Sequence, residues 1–467
     1  MSQAADNSAG IESPLRNAQF RKLFSAQVIA LVGTGLTTVA LTLLAYDMVG
    51  ENAGVVLGTA LSFKMVAYVV FAPIVGGMAH RFPRKPLLIA LDVFRAAVVL
   101  LMPFVTEVWQ IYLLIFLLNL FSAGFKPVFA ATIPDILPDE RQYTQALSYS
   151  RLAYDLENLL SPTIAGIALL FFTYTGLFSA NACAFLVSAW LIMLTVLPQR
   201  APQDRLGGIW GEISFGVISY MKTPRLRALL TLYFAVACAS AMIIVNTVVY
   251  VKESLGGSDS EVASAFAAAG FGSMLAALSM TRILDHVSDR VVMLTGAVAM
   301  GVGVLAISAS PGLGSMLPIW MLIGLGWSLV QTPAGRIVNR SSSAGDRSAY
   351  FSAQFALSHA AWLIAYPIAG QLGAAFGIEQ TAIYMGTAIL LFAGLAAMVW
   401  PRVGAAELPH RHDPVDHGHL HTHGPHHQHE HRGEEGPEPH VHPHHHHAIE
   451  HQHEFYIDDH HMHWPKV

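Results

Sequence analysis

Twelve apolar runs, each about 20 residues long, restrict this chain more than any other feature of its sequence. They fall near residues 23–47, 54–79, 86–105, 108–132, 145–171, 176–197, 226–250, 261–280, 290–309, 312–333, 349–373 and 376–400. A bilayer's hydrocarbon core is about 30 Å thick, and a helix of roughly 20 residues crosses it. No water reaches that core, so each backbone amide must be satisfied within its own segment; open strands and loops are excluded. Only 12% of the residues are charged, about half the usual share of a soluble domain. The expected fold is therefore an all-α integral membrane protein with twelve transmembrane helices. The opening stretch, MSQAADNSAGIESPLRNAQFRKLF, is polar and lacks the apolar region of a signal peptide.

An even number of spans puts both ends on one side. The even-numbered loops hold Arg81, Arg84, Lys85, Arg141, Arg200, Arg205, Lys222, Arg225, Arg227, Arg282, Arg290, Arg336, Arg340 and Arg347, whereas the odd-numbered loops offer Lys252. By the positive-inside rule both termini are expected in the cytoplasm of a bacterial inner membrane. The two cysteines, Cys183 and Cys238, lie within apolar runs and read as packing residues rather than a disulfide framework.

The chain also repeats itself. HRFPRK (His80 to Lys85) and DHVSDR (Asp285 to Arg290) are 205 residues apart, and the same shift brings Pro162 onto Pro367. Two six-helix halves follow, over residues 23–197 and 226–400, after an N-terminal cytoplasmic segment (1–22). A linker (198–225) with a short amphipathic helix near 209–221 joins them. Parallel repeats with a site at their interface are a transporter arrangement.

Ionisable groups inside a span cost about 2.5–3.5 kcal/mol each on insertion scales and mark function by default. SRLAYDLENLLSP in the fifth span is the richest stretch. Helical spacing separates Arg151, Asp155, Asn158 and Pro162 from Tyr154, Glu157 and Ser161. An Arg151–Asp155 pair that neutralises itself is one reading of the first stripe; Glu157 has no such partner and is expected to face a cavity. The 205-residue shift brings Tyr154 onto His359, Glu157 onto Trp362 and Ser161 onto Tyr366. A carboxylate on one face and an imidazole on its counterpart suit a borderline dication. A lone buried His is more commonly satisfied by a hydroxyl or a carbonyl, and that alternative stays open. Asp92 and Arg95 read as a structural pair, Asn119 and Asn246 as hydrogen-bonding groups between helices, and Lys64 as a partner of Asp47 or Glu157 or a side chain that snorkels.

Residues 401–467 differ from everything before them. Of the 24 histidines, 21 lie between His410 and His463. From Ala405 onward 11 acidic side chains face three basic ones, a net charge of −8, while the rest of the chain is +3. With scarcely an apolar residue to bury, this tail is expected to be disordered until something binds. His417, His419, His421, His423, His426, His427, His429, His431 and His444, His445, His446, His447 are the proposed tail ligands. Neutral imidazoles against an acidic background suit Ni²⁺, Co²⁺ or Zn²⁺, and binding should weaken below about pH 6. Nothing suggests a covalently held cofactor, nucleic-acid binding or an enzyme, and a P-loop is absent from the sequence. The expected partners are the metal substrate and the lipid bilayer, with the chain acting as a monomer.

Residues 15–400 resemble the major facilitator superfamily. That family's loop motif, G-x-x-x-D-R-x-G-R-[RK], here reads Gly76, His80, Arg81, Pro83, Arg84 and Lys85, with His in place of Asp and Pro in place of Gly. FKPVFAATIPDILPDERQYTQALS (Phe125 to Ser148) resembles a branch that includes macrolide and siderophore exporters. SHAAWLIAYPIAG and DLENLLSP, with the histidine-rich tail, resemble nickel-resistance exporters of the same superfamily. The resemblance implies proton-coupled export of a divalent transition metal, nickel or alternatively cobalt, that confers metal resistance. Tyr154, Asp155, Glu157, Asn158 and His359 would form the substrate and proton path, with Arg81, Arg84, Lys85, Asp285, Asp289 and Arg290 in gating loops. The alternatives are an exporter of drugs, siderophores or other organic solutes with an incidental or regulatory tail, and a membrane-bound metal buffer or sensor.

Overall fold

The computed structural model describes residues 13–49, 53–198, 208–401, 407–412, 415–421, 440–446, 449–454 and 464. Among the described residues eleven α-helices make up the membrane body and a twelfth lies in the linker. α1 (Ala18–Val49), α2 (Ala53–Met78), α3 (Arg84–Leu101), α4 (Val108–Ile136), α5 (Glu140–Ala168) and α6 (Tyr174–Met193) form the first half. α7 (Gly208–Lys222) is the helix expected in the linker. α8 (Pro224–Val249), α9 (Asp259–His286), α10 (Asp289–Ala306), α11 (Leu313–Asn339) and α12 (Arg347–Val399) form the second. α12 holds two spans: its 53 residues are interrupted at Gly377, whose φ of 80° lies in the left-handed region open to glycine. Twelve spans result, in two six-helix pseudo-repeats. Among the described residues nine helices are long and apolar enough to cross a bilayer, and Ser62–Met78 adds a shorter apolar stretch. α5 carries Arg151, Asp155 and Glu157 within its span.

Local chemistry sets the helix ends. Asp139 starts α5 by accepting from the Gln142 amide at 2.8 Å. Glu107 with Gln110, and Ser258 with Glu261, form capping boxes at α4 and α9. The repeat is visible in these starts: α3 and α10 begin 205 residues apart, and so do α4 and α11.

Lipid is as apolar as leucine, so helices associate by close packing of small residues. A Cβ at Gly324 of α11 would lie 1.8 Å from the Ala269 carbonyl oxygen of α9, and one at Gly272 would lie 1.9 Å from that of Met321. Between the halves, Gly76 on α2 admits Ser352 of α12. Leu170, Phe171, Leu391 and Met398 remain on the exposed periphery.

The histidine-rich tail follows α12. Among its described residues β1 (Glu407–His412) pairs antiparallel with β4 (Ile449–Glu454), and β2 (Val415–His421) with β3 (His440–His446). The reason lies in pattern rather than hydrophobicity: imidazoles at alternate positions give the tail the two-residue period of a strand. The β2–β3 register sets His417 opposite His444, His419 opposite His442 and His421 opposite His440. His423, His426, His427, His429, His431 and His447 lie outside the described residues.

Candidate functional site: a cation-lined cavity between the halves

A cavity of about 500 Å³ separates the two halves, walled by α1–α6 on one side and by α8, α11 and α12 on the other. Tyr154 and Glu157 line it from α5, and His359 and Trp362 line it from α12. The four residues paired by the 205-residue shift therefore meet in one chamber. The Asn158 side chain lies outside the described residues.

Asp155 is not among the cavity's lining residues. Its carboxylate takes Arg151 at 2.8 Å and the Ser273 hydroxyl of α9 at 2.6 Å. Arg151 donates in turn to Ser273 at 3.0 Å and to the Gln331 side chain of α11 at 3.0 Å. The self-neutralising pair is the arrangement observed, and it ties α5 to the opposite half. Asp92 and Arg95 likewise pair, with Ser188 donating to Asp92 at 2.7 Å and the guanidinium sandwiched 4.0 Å from Phe125 and 4.5 Å from Phe185. Asn246 donates to the Ala369 carbonyl on α12, as an interhelical group should. Asn119 instead bonds Ile115 of its own helix.

Removing these neutralised pairs leaves Glu157 with Lys64 and Lys126, the two ammonium groups that act on it electrostatically. Lys126 was not singled out from the sequence, although an ionisable group within an apolar run is the usual signal. Its Nζ donates to Tyr68 Oη at 3.1 Å and stands 5.0 Å over that ring; Lys64 is 5.8 Å from the same ring. Among the described residues neither ammonium lies within ion-pair distance of a carboxylate. The chamber is net positive.

His359 is half-buried between Tyr68, Phe355 and Trp362, with ring centroids at 4.8, 4.1 and 4.9 Å. Its Nδ1 lies 2.7 Å from the Phe355 carbonyl oxygen. A carbonyl can only accept, so Nδ1 carries the proton and Nε2 keeps its lone pair. One imidazole nitrogen and one carboxylate are thus on offer to a metal. Among the described residues no group of three or more His, Cys, Asp or Glu gathers as a metal ion requires. At an effective dielectric constant of about 20, a dication some 6 Å from one ammonium meets roughly 5 kcal/mol of repulsion. Glu157 offsets only one of the two lysines.

At the membrane face that carries the α2–α3 loop, charged side chains bind the halves together. Arg141 of α5 donates to Asp285 of α9 from Nε at 2.9 Å and from Nη2 at 2.5 Å. That pairing holds the Asp285 carboxyl below its ordinary range. Asp135, at the end of α4, bridges Arg84 of its own half and Arg347 of the other. Arg340 joins Asp289 at 2.8 Å and also Glu140 across the interface; Arg336 reaches Glu140 at 3.1 Å and donates to the Thr144 hydroxyl at 2.7 Å. Of the expected gating residues, Arg84, Asp285 and Asp289 belong to this latch. Lys85 donates instead to the Thr195 carbonyl and Arg290 to the Ala397 carbonyl, each within its own half. Arg81 closes the turn Ala79–Arg81.

The 205-residue shift relates Arg84 to Asp289 and Asp135 to Arg340. Each half therefore holds the same ion pair between its third and fourth helices with the polarity reversed.

Known proteins share this organisation. The chain is 30% identical over 194 residues to the uncharacterized MFS-type transporter YfiS of Bacillus subtilis, covering 41% of this chain and 45% of that one. It is 22% identical over 186 residues to macrolide efflux protein A of Streptococcus pyogenes, covering 39% and 45%. To the class H tetracycline resistance protein of Pasteurella multocida it is 26% identical over 141 residues, covering 30% and 35%. Each match spans less than half of the relative's length. Two solved structures share the fold at 14% identity. The human organic anion transporter MFSD10 superposes with a TM-score of 0.72 over 82% of this chain and 100% of its own. The E. coli fucose:proton symporter does so at 0.62 over 81% and 98%. The sequence profile of the Major Facilitator Superfamily matches residues 23–250 and 229–423. With two six-helix halves around a central chamber and this coverage, the chain belongs to the major facilitator superfamily and is a multi-pass membrane protein.

Proposed function

We propose that this transporter exports a divalent transition metal, nickel or alternatively cobalt, from the cytoplasm of a bacterial cell in exchange for protons, and so confers metal resistance. The observation that carries the reading is the concentration of 21 histidines in one tail beside the membrane body. The β2–β3 register adds three directly opposed histidine positions, and neutral imidazole nitrogens suit this class of dication. Lys and Arg crowd the loops on the tail's side, which makes that side cytoplasmic under the positive-inside rule. Tethered imidazoles raise the metal concentration at the mouth through effective concentration. Glu157, the carboxylate on the cavity wall, takes the exchangeable proton. Asp155 keeps Arg151 neutralised and α5 seated against α9 and α11.

The test uses inverted vesicles carrying the full chain under a pH gradient, with radiolabelled nickel outside. Uptake above empty vesicles is expected, with at least a tenfold loss for Glu157→Gln. Vesicles that move no nickel or cobalt under any gradient would overturn the reading.

A second reading, export of an organic solute, is favoured by the two lysines and the aromatic wall of the chamber and by the macrolide and tetracycline resistance proteins among the relatives. Gradient-driven movement of labelled erythromycin or tetracycline, with no metal flux, supports it.

A further inference from the structure

The tail and the chamber make opposite demands on the cargo. The tail is acidic and rich in imidazole, suited to a naked dication. The chamber sets two ammonium groups, Lys64 and Lys126, against one carboxylate, Glu157, and gathers no third metal ligand among its described residues. It is also too large for a bare ion. Six waters at about 30 Å³ each make a hydrated ion of about 180 Å³, whereas the cavity measures about 500 Å³. That volume belongs to the range of small-molecule sites.

Both demands are met if the metal does not travel alone. Resting on the metal-export reading above, we infer that the chamber takes the metal as an anionic chelate, a dication wrapped by a small polycarboxylate. The carboxylates face Lys64 and Lys126, which ordinary ion pairing supports. The Nε2 lone pair of His359, fixed by the Nδ1–H bond to the Phe355 carbonyl, is directed to an open coordination position on the metal. Tyr68, which touches both lysines and the His359 ring, holds the two recognition elements in one frame. The ion released by the tail is thus carried in a form whose charge suits a cationic wall.

The experiment uses the purified full chain in liposomes under a pH gradient, with radiolabelled nickel supplied as the chloride or with citrate in slight excess, and labelled citrate in a parallel arm. The expected result is citrate-dependent nickel flux at least tenfold above the chloride at equal total nickel. The double variant Lys64→Gln/Lys126→Gln should lose that gain while keeping its monodisperse elution, and Lys126→Arg should retain it. His359→Ala should weaken the half-saturating concentration of the nickel complex more than the maximal rate. Flux that tracks free nickel and falls as citrate is added overturns the inference and leaves the metal reading standing. Equal citrate flux with and without nickel also overturns it, because the cargo is then the organic acid. Absence of nickel flux in either form removes the metal reading itself.

Discussion

Two turns of α5 carry Arg151, Asp155 and Glu157, and helical phase separates the two carboxylates. Asp155 lies four residues from Arg151 and is spent on it, whereas Glu157, out of phase, reaches the cavity wall. Removing Asp155 alone leaves a guanidinium with no carboxylate in a low-dielectric setting. Asp155→Leu is therefore expected to cost about 3–5 kcal/mol, and Arg151→Met/Asp155→Leu to recover most of it. Thermal unfolding of the purified protein measures both, and equal melting temperatures for Asp155→Leu and the parent would contradict the pairing. Much of this was legible in the sequence. Charges inside an apolar run, their spacing and the 205-residue repeat pointed to Glu157 and His359 facing one chamber. Lys126 carries the signal of an ionisable group in an apolar run, but its partner Tyr68 lies 58 positions away and is not legible; nor is the partner of Asp135, Arg347, 212 positions away.

At the scale of elements, α9 and α11 owe their approach to two glycines that face backbone carbonyls. No side-chain movement relieves a clash with a carbonyl oxygen, so Gly324→Leu is expected to prevent folding or cost more than about 4 kcal/mol. The monodisperse fraction after detergent extraction reports it; Gly394→Leu, where open space surrounds the position, should behave like the parent. The tail and the latch respond differently to acid. Imidazoles protonate near pH 6.5, so metal held by the tail should fall severalfold between pH 7.5 and 5.5, as equilibrium dialysis of the full protein against a chain ending at residue 404 would show. The Arg141–Asp285 pair keeps its carboxyl charged to lower pH than usual. Its contribution is complete above the ordinary value of 3.8 and is lost only as pH falls through the depressed one. The distance between spin labels attached at Gln142→Cys and His286→Cys before the pH is changed should consequently be the same at pH 7.5 and 5.5.

For the whole molecule, the spans and their count followed from hydropathy because the bilayer imposes one length and one backbone solution on every crossing, and the repeat from two loci that share one 205-residue offset. The join inside α12 was also foreseen, since the break between the last two runs falls beside Gly377. The tail pairing was not, because composition alone says that such a segment cannot bury surface, and strand register is a matter of pattern. What hydropathy cannot see is how one half distinguishes the other from a copy of itself, and the reversed ion pairs supply that distinction. Asp135 and Glu140 meet Arg347 and Arg340 across the interface. In a dimer of two first halves, Asp135 would take the place of Arg340 and confront Glu140; in a dimer of two second halves, Arg340 would take the place of Asp135 and confront Arg347. Each lobe repels its twin and accepts its complement. Expressed as separate polypeptides divided near residue 203, the lobes should co-purify as a one-to-one heterodimer with little of either homodimer. Duplicating one lobe alone cannot rebuild this carrier without first inverting a charge.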